Sequence, residues 1–104
     1  MKVSIITVCY NSADTIRDTI ESVFSQDHDD IEYILVDGGS KDGTQAIIES
    51  YGDHISRFIS EPDKGLYDAM NKGVALATGD VIGILSSDDF YESTTSVSAV
   101  VKAF

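Results

Sequence analysis

The fold class of this chain is decided by one stretch, Val81-Ile82-Gly83-Ile84-Leu85-Ser86-Ser87-Asp88-Asp89. The apolar run 81–85 is typical of a strand that is buried on both faces in the middle of a parallel sheet. Two adjacent carboxylates follow at its carboxyl end, where open α/β sheets bind their ligands. Because Asp88 and Asp89 repel each other, the pair indicates a divalent cation, Mg²⁺ or Mn²⁺, that bridges to a nucleotide diphosphate. A solvated turn that caps the next helix explains this segment alone equally well.

The composition limits the classes of partner. The 104 residues include 7 Lys and Arg against 18 Asp and Glu, which gives a net charge of −11. This length allows a single domain, 1–104. The negative charge argues against nucleic acid and against an anionic membrane surface as partners. With so few cations, a bound diphosphate would depend on a metal ion and on helix N-termini.

The single cysteine and the absence of a long apolar stretch bear on the compartment. Cys9 is the only cysteine, so it forms no internal disulfide and is expected to be a small core residue. No stretch is apolar over the roughly 20 residues that a membrane-spanning helix needs. We therefore expect a cytoplasmic protein, with peripheral attachment at the cytoplasmic face of the membrane as a second location.

Segments of strand type and helix type alternate along the chain. Strands are predicted at 3–9, 31–36, 55–59 and 81–85, because these runs are short, apolar and rich in β-branched residues. The first helix is predicted from an apolar face at helical spacing, formed by Ile16, Ile20, Val23 and Phe24. Two more helices are predicted at about 44–51 and 64–77, and a fourth at the end of the chain. The alternation predicts a three-layer α/β/α fold with a mostly parallel, Rossmann-like sheet.

Local signals mark the helix ends. Asp42 and Gln45 have the spacing of a capping box before the second helix. Asp63 is the expected N-cap of the third helix, and Gly79 is expected just after its end. Gly73 inside this helix costs roughly 1 kcal/mol relative to Ala, so we expect it to pack closely on the sheet.

A helical apolar stripe runs to the last residue of the chain, formed by Val97, Val100, Val101 and Phe104. A natural domain seldom ends in mid-periodicity on an apolar residue, so we expect the chain to be a fragment of a longer protein. An uncovered stripe of this kind favours association into a homodimer. A short docking helix that ends the domain is the alternative.

Four loops follow the carboxyl ends of the predicted strands, at 10–12, 37–40, 61–65 and 86–89. In a parallel sheet these loops share one edge, and three of them contain carboxylates. The ring of Tyr10 could stack on a base or cover the sheet edge. Asn11 and Ser12 are suited either to contact a ligand or to cap the first helix.

The second and third loops contain the other candidates. Asp37 could accept a hydrogen bond from a base imide or a ribose hydroxyl, or it could form an Asx turn into the Gly38-Gly39 bend. Lys64 is one of few cations near this edge, suited to bind a phosphate or simply to be solvated. The sequence contains no G-x-G-x-x-G fingerprint, no Walker loop and no zinc-type spacing of His and Cys.

The segments of this sheet edge together resemble the opening half of the family 2 inverting glycosyltransferases. They are VSIITVCYN at 3–11, VDGGSKDGT at 36–44, EPDKG at 61–65 with AMNKG at 69–73 and ATGD at 77–80, and LSSDD at 85–89. Each motif is weakly specific alone, but all occur in order and cover nearly the whole chain. The pattern departs from the family beside Asp37, where many members have a second acidic residue, and at Ser87-Asp88-Asp89, a variant of the DxD metal motif.

The resemblance implies the nucleotide-sugar-binding half of a GT-A fold, with a UDP-linked donor and a divalent cation. Transfer would proceed with inversion to a hydroxyl of a saccharide or lipid-linked acceptor, as in polysaccharide biosynthesis. The nucleotide would be contacted by Thr7, Tyr10, Asn11, Asp37, Asp63, Lys64 and Asp88. Tyr10 would stack on the base, Asp37 would hydrogen-bond it, and Asp88 would contact the ribose. Asp89 would coordinate the metal ion that bridges the diphosphate, and the catalytic base would lie beyond Phe104, in an acceptor-binding half.

Three other functions stay open on the sequence. A non-catalytic nucleotide-sugar-binding domain would have the same loops. A nucleotidyltransferase also combines a metal ion with an α/β sheet, but it normally offers a Gly-rich, basic phosphate loop near the N-terminus, and Tyr10-Asn11-Ser12-Ala13 is not one. The third is an α/β interaction domain whose acidic edge is only solvated.

Overall fold

The computed structural model describes residues 1–62, 64–87 and 96–102. Strands and helices alternate along the chain as predicted. The strands are β1 (Val3–Cys9), β2 (Ile31–Asp37), β3 (Arg57–Ser60) and β4 (Val81–Ile84). The helices are α1 (Ile16–Phe24), α2 (Thr44–Glu49), α3 (Leu66–Leu76) and α4 (Ser96–Lys102), and a short 3₁₀ turn spans Gly52–His54.

The sheet is parallel throughout its described strands, in the order β3-β2-β1-β4. β1 and β2 pair along their whole length, from Val3 opposite Ile31 to Cys9 opposite Asp37. Because the strands run in the same direction, their carboxyl ends meet at one edge, which we call the upper edge. Helices pack on both faces of this sheet. The predicted three-layer α/β/α fold with a Rossmann-like parallel sheet is confirmed.

Alternate residues of β1 and β2 build a core on each face of the sheet. On one face, Ile5 and Leu35 pack with the apolar sides of α1 and α2 and with Val97 of α4. On the other face, Ile6 and Ile34 pack with α3. These four strand residues are fully buried, and each contributes about 1.5–3 kcal/mol by leaving water. The two central strands therefore form a rigid base for the loops that leave their upper ends.

Helix α3 lies unusually close to β1, as Gly73 predicts. A Cβ atom at Gly73 would stand 2.5 Å from Cγ2 of Ile6. In the described part of the chain, the helix packs mainly on β1 and β2, and Ile82 and Ile84 on that face are each 43% exposed. The prediction that the 81–85 strand is buried on both faces is therefore wrong for the described part of the chain, where β4 is an edge strand.

Three predicted helix-end signals act differently in the structure. The N-cap residue of α3 is Gly65, not Asp63 as predicted. Helix α2 has no side-chain N-cap hydrogen bond, and Gln45 does not complete a capping box with Asp42. Instead, Nε2 of Gln45 donates to the carbonyl oxygen of Ser40 at 3.0 Å. Helix α3 ends with Ala77 as an extended C-cap, so Gly79 is not its stop. Strand β3 starts at Arg57 and not at Ile55 as predicted, because Ile55 packs in the core without joining the sheet.

A buried carboxylate network lies at the opposite, lower edge of the sheet. Glu32 accepts hydrogen bonds from the Ser4 hydroxyl at 2.8 Å and from the N–H and hydroxyl of Thr78, both at 2.9 Å. The Lys2 ammonium is 3.6 Å away, and the Gly79 N–H donates to the Ser4 hydroxyl. Burial alone would raise the pKa of Glu32, but these hydrogen bonds outweigh it and lower the pKa to about 2. The network ties the turn before β4 to β1 and β2.

The last helix is only partly covered. Val97 is buried, whereas Val100 is 50% exposed. Phe104, the last residue of the predicted stripe, lies outside the described residues. Within the described ranges, every helix is too short or too polar to cross a lipid bilayer.

Candidate functional site

A cleft of about 630 Å³ opens at the upper edge of the sheet. Three of the four predicted loops and the start of α3 contribute to its walls. The lining residues are Val8, Cys9, Tyr10, Asn11, Ser12, Asp14, Thr15, Gly65, Ala69, Ser86 and Ser87. Small-molecule sites typically enclose roughly 300–1,000 Å³, so the size of this cleft suits an organic ligand.

Tyr10 presents its ring to solvent beside the cleft. It lines the cleft directly after β1, and its side chain is 61% exposed. The alternative role, covering the sheet edge, would have buried the ring. An exposed ring at a partly polar cleft offers a π-face on which a planar ligand can stack.

Asn11 has a left-handed backbone, with φ +48°, a conformation that is uncommon for residues other than glycine. Its N–H donates to the Ser40 hydroxyl at 2.7 Å, and its Oδ1 accepts from the Lys41 N–H at 2.9 Å. Two contacts with the second loop thus hold the strained residue in place. Asn11 does not cap α1, because the N-cap residue of that helix is Thr15.

The second loop holds the first loop through a set of side chains that we call the loop clasp, Ser40, Asp42 and Thr44. Besides Ser40, the Thr44 hydroxyl accepts from the Ser12 N–H at 2.8 Å, and Oδ2 of Asp42 accepts from the Ala13 N–H at 3.1 Å. Oδ1 of Asp42 accepts in turn from the Thr44 hydroxyl, which is the main reason that the pKa of Asp42 is lowered. The VDGGSKDGT motif therefore supports the backbone that bears Tyr10.

Asp37 is fully buried under the same loop and does not line the cleft. Its Oδ2 accepts from the N–H groups of Gly39 and Ser40, at 3.2 and 2.9 Å, and from the Ser60 hydroxyl at 2.8 Å. Its Oδ1 accepts from the Ser40 hydroxyl and from the Cys9 thiol. Burial alone would raise the pKa of Asp37, but the hydrogen bonds outweigh it and lower the pKa. The sequence left open whether Asp37 binds a ligand or forms an Asx turn, and the structure shows the Asx turn.

Thr7 also lies away from the cleft. It is fully buried, and its hydroxyl lies 2.8 Å from the Tyr33 hydroxyl. Because side chains alternate along β1, Thr7 shares its face with Ile5 and Cys9 inside the core between the sheet and α1. This geometry does not agree with the expectation that Thr7 lines the nucleotide pocket.

The charged residues around the third loop are paired mainly with each other. The backbone N–H of Lys64 donates to Oδ2 of Asp68 at 3.0 Å. This hydrogen bond is the main reason that the pKa of Asp68 is lowered. Lys72 pairs with Asp68 at 3.4 Å and with Glu61 at 3.1 Å. Lys64 is exposed and precedes the cleft residue Gly65, but it is not itself a lining residue.

The chain that leaves β4 enters the cleft wall through Ser86 and Ser87. Ser87 is fixed from three sides. Its N–H donates to the Val8 carbonyl at 3.2 Å, and its own carbonyl accepts from the Thr19 hydroxyl at 2.9 Å. Its hydroxyl lies 2.7 Å from the Ser12 hydroxyl. The chain therefore passes from a defined point of the cleft wall towards residues 88 and 89.

Three of the predicted site residues, Asp63, Asp88 and Asp89, lie outside the described residues. Within the described part of the chain, no group of three or more His, Cys, Asp or Glu side chains is arranged to hold a metal ion. The carboxylates predicted to bind the cation therefore stay a prediction from the sequence.

Taken together, the structure brings Tyr10 and Asn11 to one cleft with Ser87, and it leaves Thr7 and Asp37 beneath that cleft. Sequence reasoning missed the links between the loops. The role of Thr19 in particular has no local signal, because its partner is 68 residues away. The burial of Thr7 could have been predicted from the sequence, because side chains alternate between the two faces of the sheet along β1.

A comparison with protein families and curated relatives identifies the lineage. The family model described as Glycosyl transferase family 2 matches residues 4–104. An uncharacterized glycosyltransferase of Mycobacterium tuberculosis is 39% identical over 102 residues, which is 97% of this chain and 39% of the relative. An uncharacterized glycosyltransferase of Rickettsia typhi is 43% identical over 89 residues, covering 86% of this chain and 28% of the relative. The chain thus spans less than half the length of the curated relatives it matches.

Solved structures have the same fold. The crystal structure of S. aureus TarS 1-349 superposes with a TM-score of 0.84 at 27% identity, over 97% of this chain and 32% of that one. The mannosyltransferase PcManGT from Pyrobaculum calidifontis, solved with GDP-Man and Mn²⁺, superposes with a TM-score of 0.90 at 24% identity, over 97% of this chain and 31% of that one. The fold, the order of the motifs and the family match agree: the chain belongs to glycosyltransferase family 2.

Proposed function

We propose that this chain forms the donor half of a glycosyltransferase. It binds a nucleotide-diphosphate sugar, UDP-linked, for transfer with inversion to a hydroxyl of a saccharide or lipid-linked acceptor. The observation that supports the proposal is the cleft itself, because its lining includes both the exposed Tyr10 and Ser86-Ser87, which directly precede Asp88 and Asp89 in the sequence. The UDP-linked donor is supported by TarS, which has been crystallised with UDP and with UDP-GlcNAc and is 26% identical to this chain in both complexes.

The aromatic side chain in the cleft wall suits the base of such a donor. Tyr10 offers an aromatic face for the base, and base–aromatic stacking contributes about 1–3 kcal/mol. The loop clasp and the left-handed Asn11 fix the backbone next to this residue before any ligand binds. Pre-organisation of this kind reduces the entropy that binding would otherwise lose.

A divalent cation at Asp89, with Asp88 on the ribose, completes the proposal. Carboxylate oxygens are the donor set that Mg²⁺ and Mn²⁺ prefer, so the chemistry of the two residues fits such an ion. When bound, the ion would supply Lewis-acid stabilisation of the departing diphosphate. The chain has 7 Lys and Arg in a total charge of −11, so its own cations do little to neutralise a diphosphate. We assign no residue of this chain as the base for the acceptor hydroxyl.

The first experiment is titration calorimetry of the chain with UDP, in Mn²⁺ and then in EDTA. We expect binding in Mn²⁺ that is lost in EDTA. Equal affinity in EDTA would remove the metal from the proposal. If UDP does not bind, titration with GDP and dTDP decides whether the base differs, and failure of all three nucleotides refutes a donor site in this cleft.

Two matched pairs of variants locate the ligand. Tyr10→Ala should weaken UDP binding roughly 5- to 150-fold, the factor that corresponds to the loss of one stacked base. Tyr67→Ala is the control, because Tyr67 is 82% exposed on α3 and does not line the cleft. Asp89→Asn should abolish the Mn²⁺ dependence, whereas Asp53→Asn in the exposed 3₁₀ turn should leave it intact. Equal effects of the two members of either pair would contradict the assignment.

A further inference from the structure

Ser12 stands at the junction of three loops of the cleft. Its N–H donates to the Thr44 hydroxyl at 2.8 Å, which links it to the loop clasp. Its hydroxyl lies 2.7 Å from the Ser87 hydroxyl, on the chain that leads to Asp88. The same hydroxyl donates to the Tyr10 carbonyl at 3.2 Å and accepts from the Tyr10 N–H at 3.3 Å. The Tyr10 loop, the loop clasp and the Ser87 segment therefore meet at one side chain.

The number of hydroxyl protons links the donor in the Ser12–Ser87 hydrogen bond to the donor in the Ser12–Tyr10 hydrogen bond. A serine hydroxyl has a single proton to donate. If Ser12 donates to the Tyr10 carbonyl, the bond between the two serines must be donated by Ser87. The hydrogen bonds then run from Ser87 through Ser12 to the Tyr10 backbone. Consecutive hydrogen bonds of this kind polarise one another, which strengthens each of them.

Both ends of this series of hydrogen bonds are held by other contacts. Ser87 is held by the Val8 carbonyl and by the hydroxyl of Thr19, a buried residue of α1. The carbonyl of Ser12 already accepts the N–H groups of Thr15 and Ile16, at 3.1 and 2.9 Å. The backbone of the first loop is thus secured without the Ser12 hydroxyl. The contacts of that hydroxyl serve the relative placement of the loops rather than the folding of α1.

We propose that Ser12 is a positioning residue, whose hydroxyl couples the Tyr10 loop to the Ser87 segment and so sets the relative position of these two walls of the cleft. The effect on ligand binding rests on the proposed function. The coupling itself is a property of the free protein.

A double-mutant cycle on the full chain tests the effect on binding. Ser12→Ala and Ser87→Ala should each weaken UDP binding in Mn²⁺ by roughly 3- to 10-fold, which corresponds to one hydrogen bond. Because both remove the same bond, the double variant should be weaker than either single variant by no more than about two-fold. Fully multiplicative losses would overturn the coupling. Ser25→Ala is the control, since its hydroxyl donates at the end of α1 to the Ser22 carbonyl, and neither residue lines the cleft.

Amide hydrogen exchange without ligand separates this inference from the proposed function. Ser87→Ala should accelerate exchange at residues 10–13, on the other side of the serine pair, and Ser25→Ala should not. Unchanged exchange at residues 10–13 in Ser87→Ala would overturn the coupling even if UDP binds normally. Accelerated exchange in a protein that binds no nucleotide would support the coupling and refute the donor site. A general loss of structure would instead lower the unfolding midpoint and accelerate exchange across the whole sheet, which also overturns a positioning role.

Discussion

Replacement of Asp37 should damage the fold rather than a ligand contact. The fully buried carboxylate accepts five hydrogen bonds, two from backbone N–H groups and three from side chains. Asp37→Ala leaves the N–H of Ser40, a buried residue, without its acceptor, and each buried donor left unpaired costs about 1–3 kcal/mol. The Ser60 hydroxyl can turn to water because Ser60 is exposed. We therefore expect a loss of about 3–5 kcal/mol in the free energy of unfolding.

The isosteric change separates the two possible roles of this residue. In Asp37→Asn, one carbonyl oxygen can keep the three bonds made by Oδ2, while the amide group faces the Ser40 hydroxyl as a second donor. We expect a loss of about 1–2 kcal/mol. Urea unfolding at neutral pH measures both variants, with exposed Asp53→Asn as the control. A variant Asp37→Asn that is as stable as the wild type but no longer binds UDP would refute this reasoning and place the carboxylate on the base.

Three further predictions concern the lower edge and the packing of the sheet. Glu32→Gln should lower the free energy of unfolding by about 3 kcal/mol at neutral pH, the free energy that corresponds to lowering the pKa of Glu32 from 4.5 to about 2. Because the pKa falls from 4.5 to about 2 on folding, this deficit should narrow as the pH drops from 4.5 towards 2, and a constant deficit in urea unfolding would contradict the role of the charge. Gly73→Ala should destabilise by about 1 kcal/mol, since overpacking Ile6 outweighs the gain in helix propensity. Gly79→Ala should cost about 3 kcal/mol or more, because its Cβ would stand 2.8 Å from the Ser4 backbone nitrogen; equal unfolding midpoints for the two glycine variants would contradict this order.

Elements whose burial is decided within a few residues were predictable from the sequence. Strand β1 was predicted at its observed bounds, because every residue from Val3 to Cys9 is buried. The start of β3 was predicted too early, since the apolar Ile55 packs in the core without joining the sheet. The exposed faces of Ile82 and Ile84 were not predictable, because an apolar run says nothing about how far a neighbouring helix extends.

In the site, too, features that depend on neighbouring residues were predictable from the sequence, and features that depend on distant segments were not. The cleft position of Tyr10 follows from its place directly after a central strand, which a sequence shows. The burial of Asp37 depends on Ser60, 23 residues away, and on the local turn that Gly39 and Ser40 complete. A carboxylate after a strand can turn towards a ligand or back into its own loop, and only the donors supplied by other segments decide between the two.

The thiol beneath the cleft has a practical consequence. Cys9 is the only cysteine of the chain, it is 7% exposed, and it lines the floor of the cleft beside Asp37. Because so little of Cys9 is exposed, we expect a thiol reagent to react with it mainly during local opening around the residue, so the rate of labelling under native conditions reports that opening. Any molecule that occupies the cleft should slow that reaction. The reactivity of Cys9 can therefore report whether the cleft is occupied, and it can be used to screen candidate ligands without a labelled ligand or an acceptor.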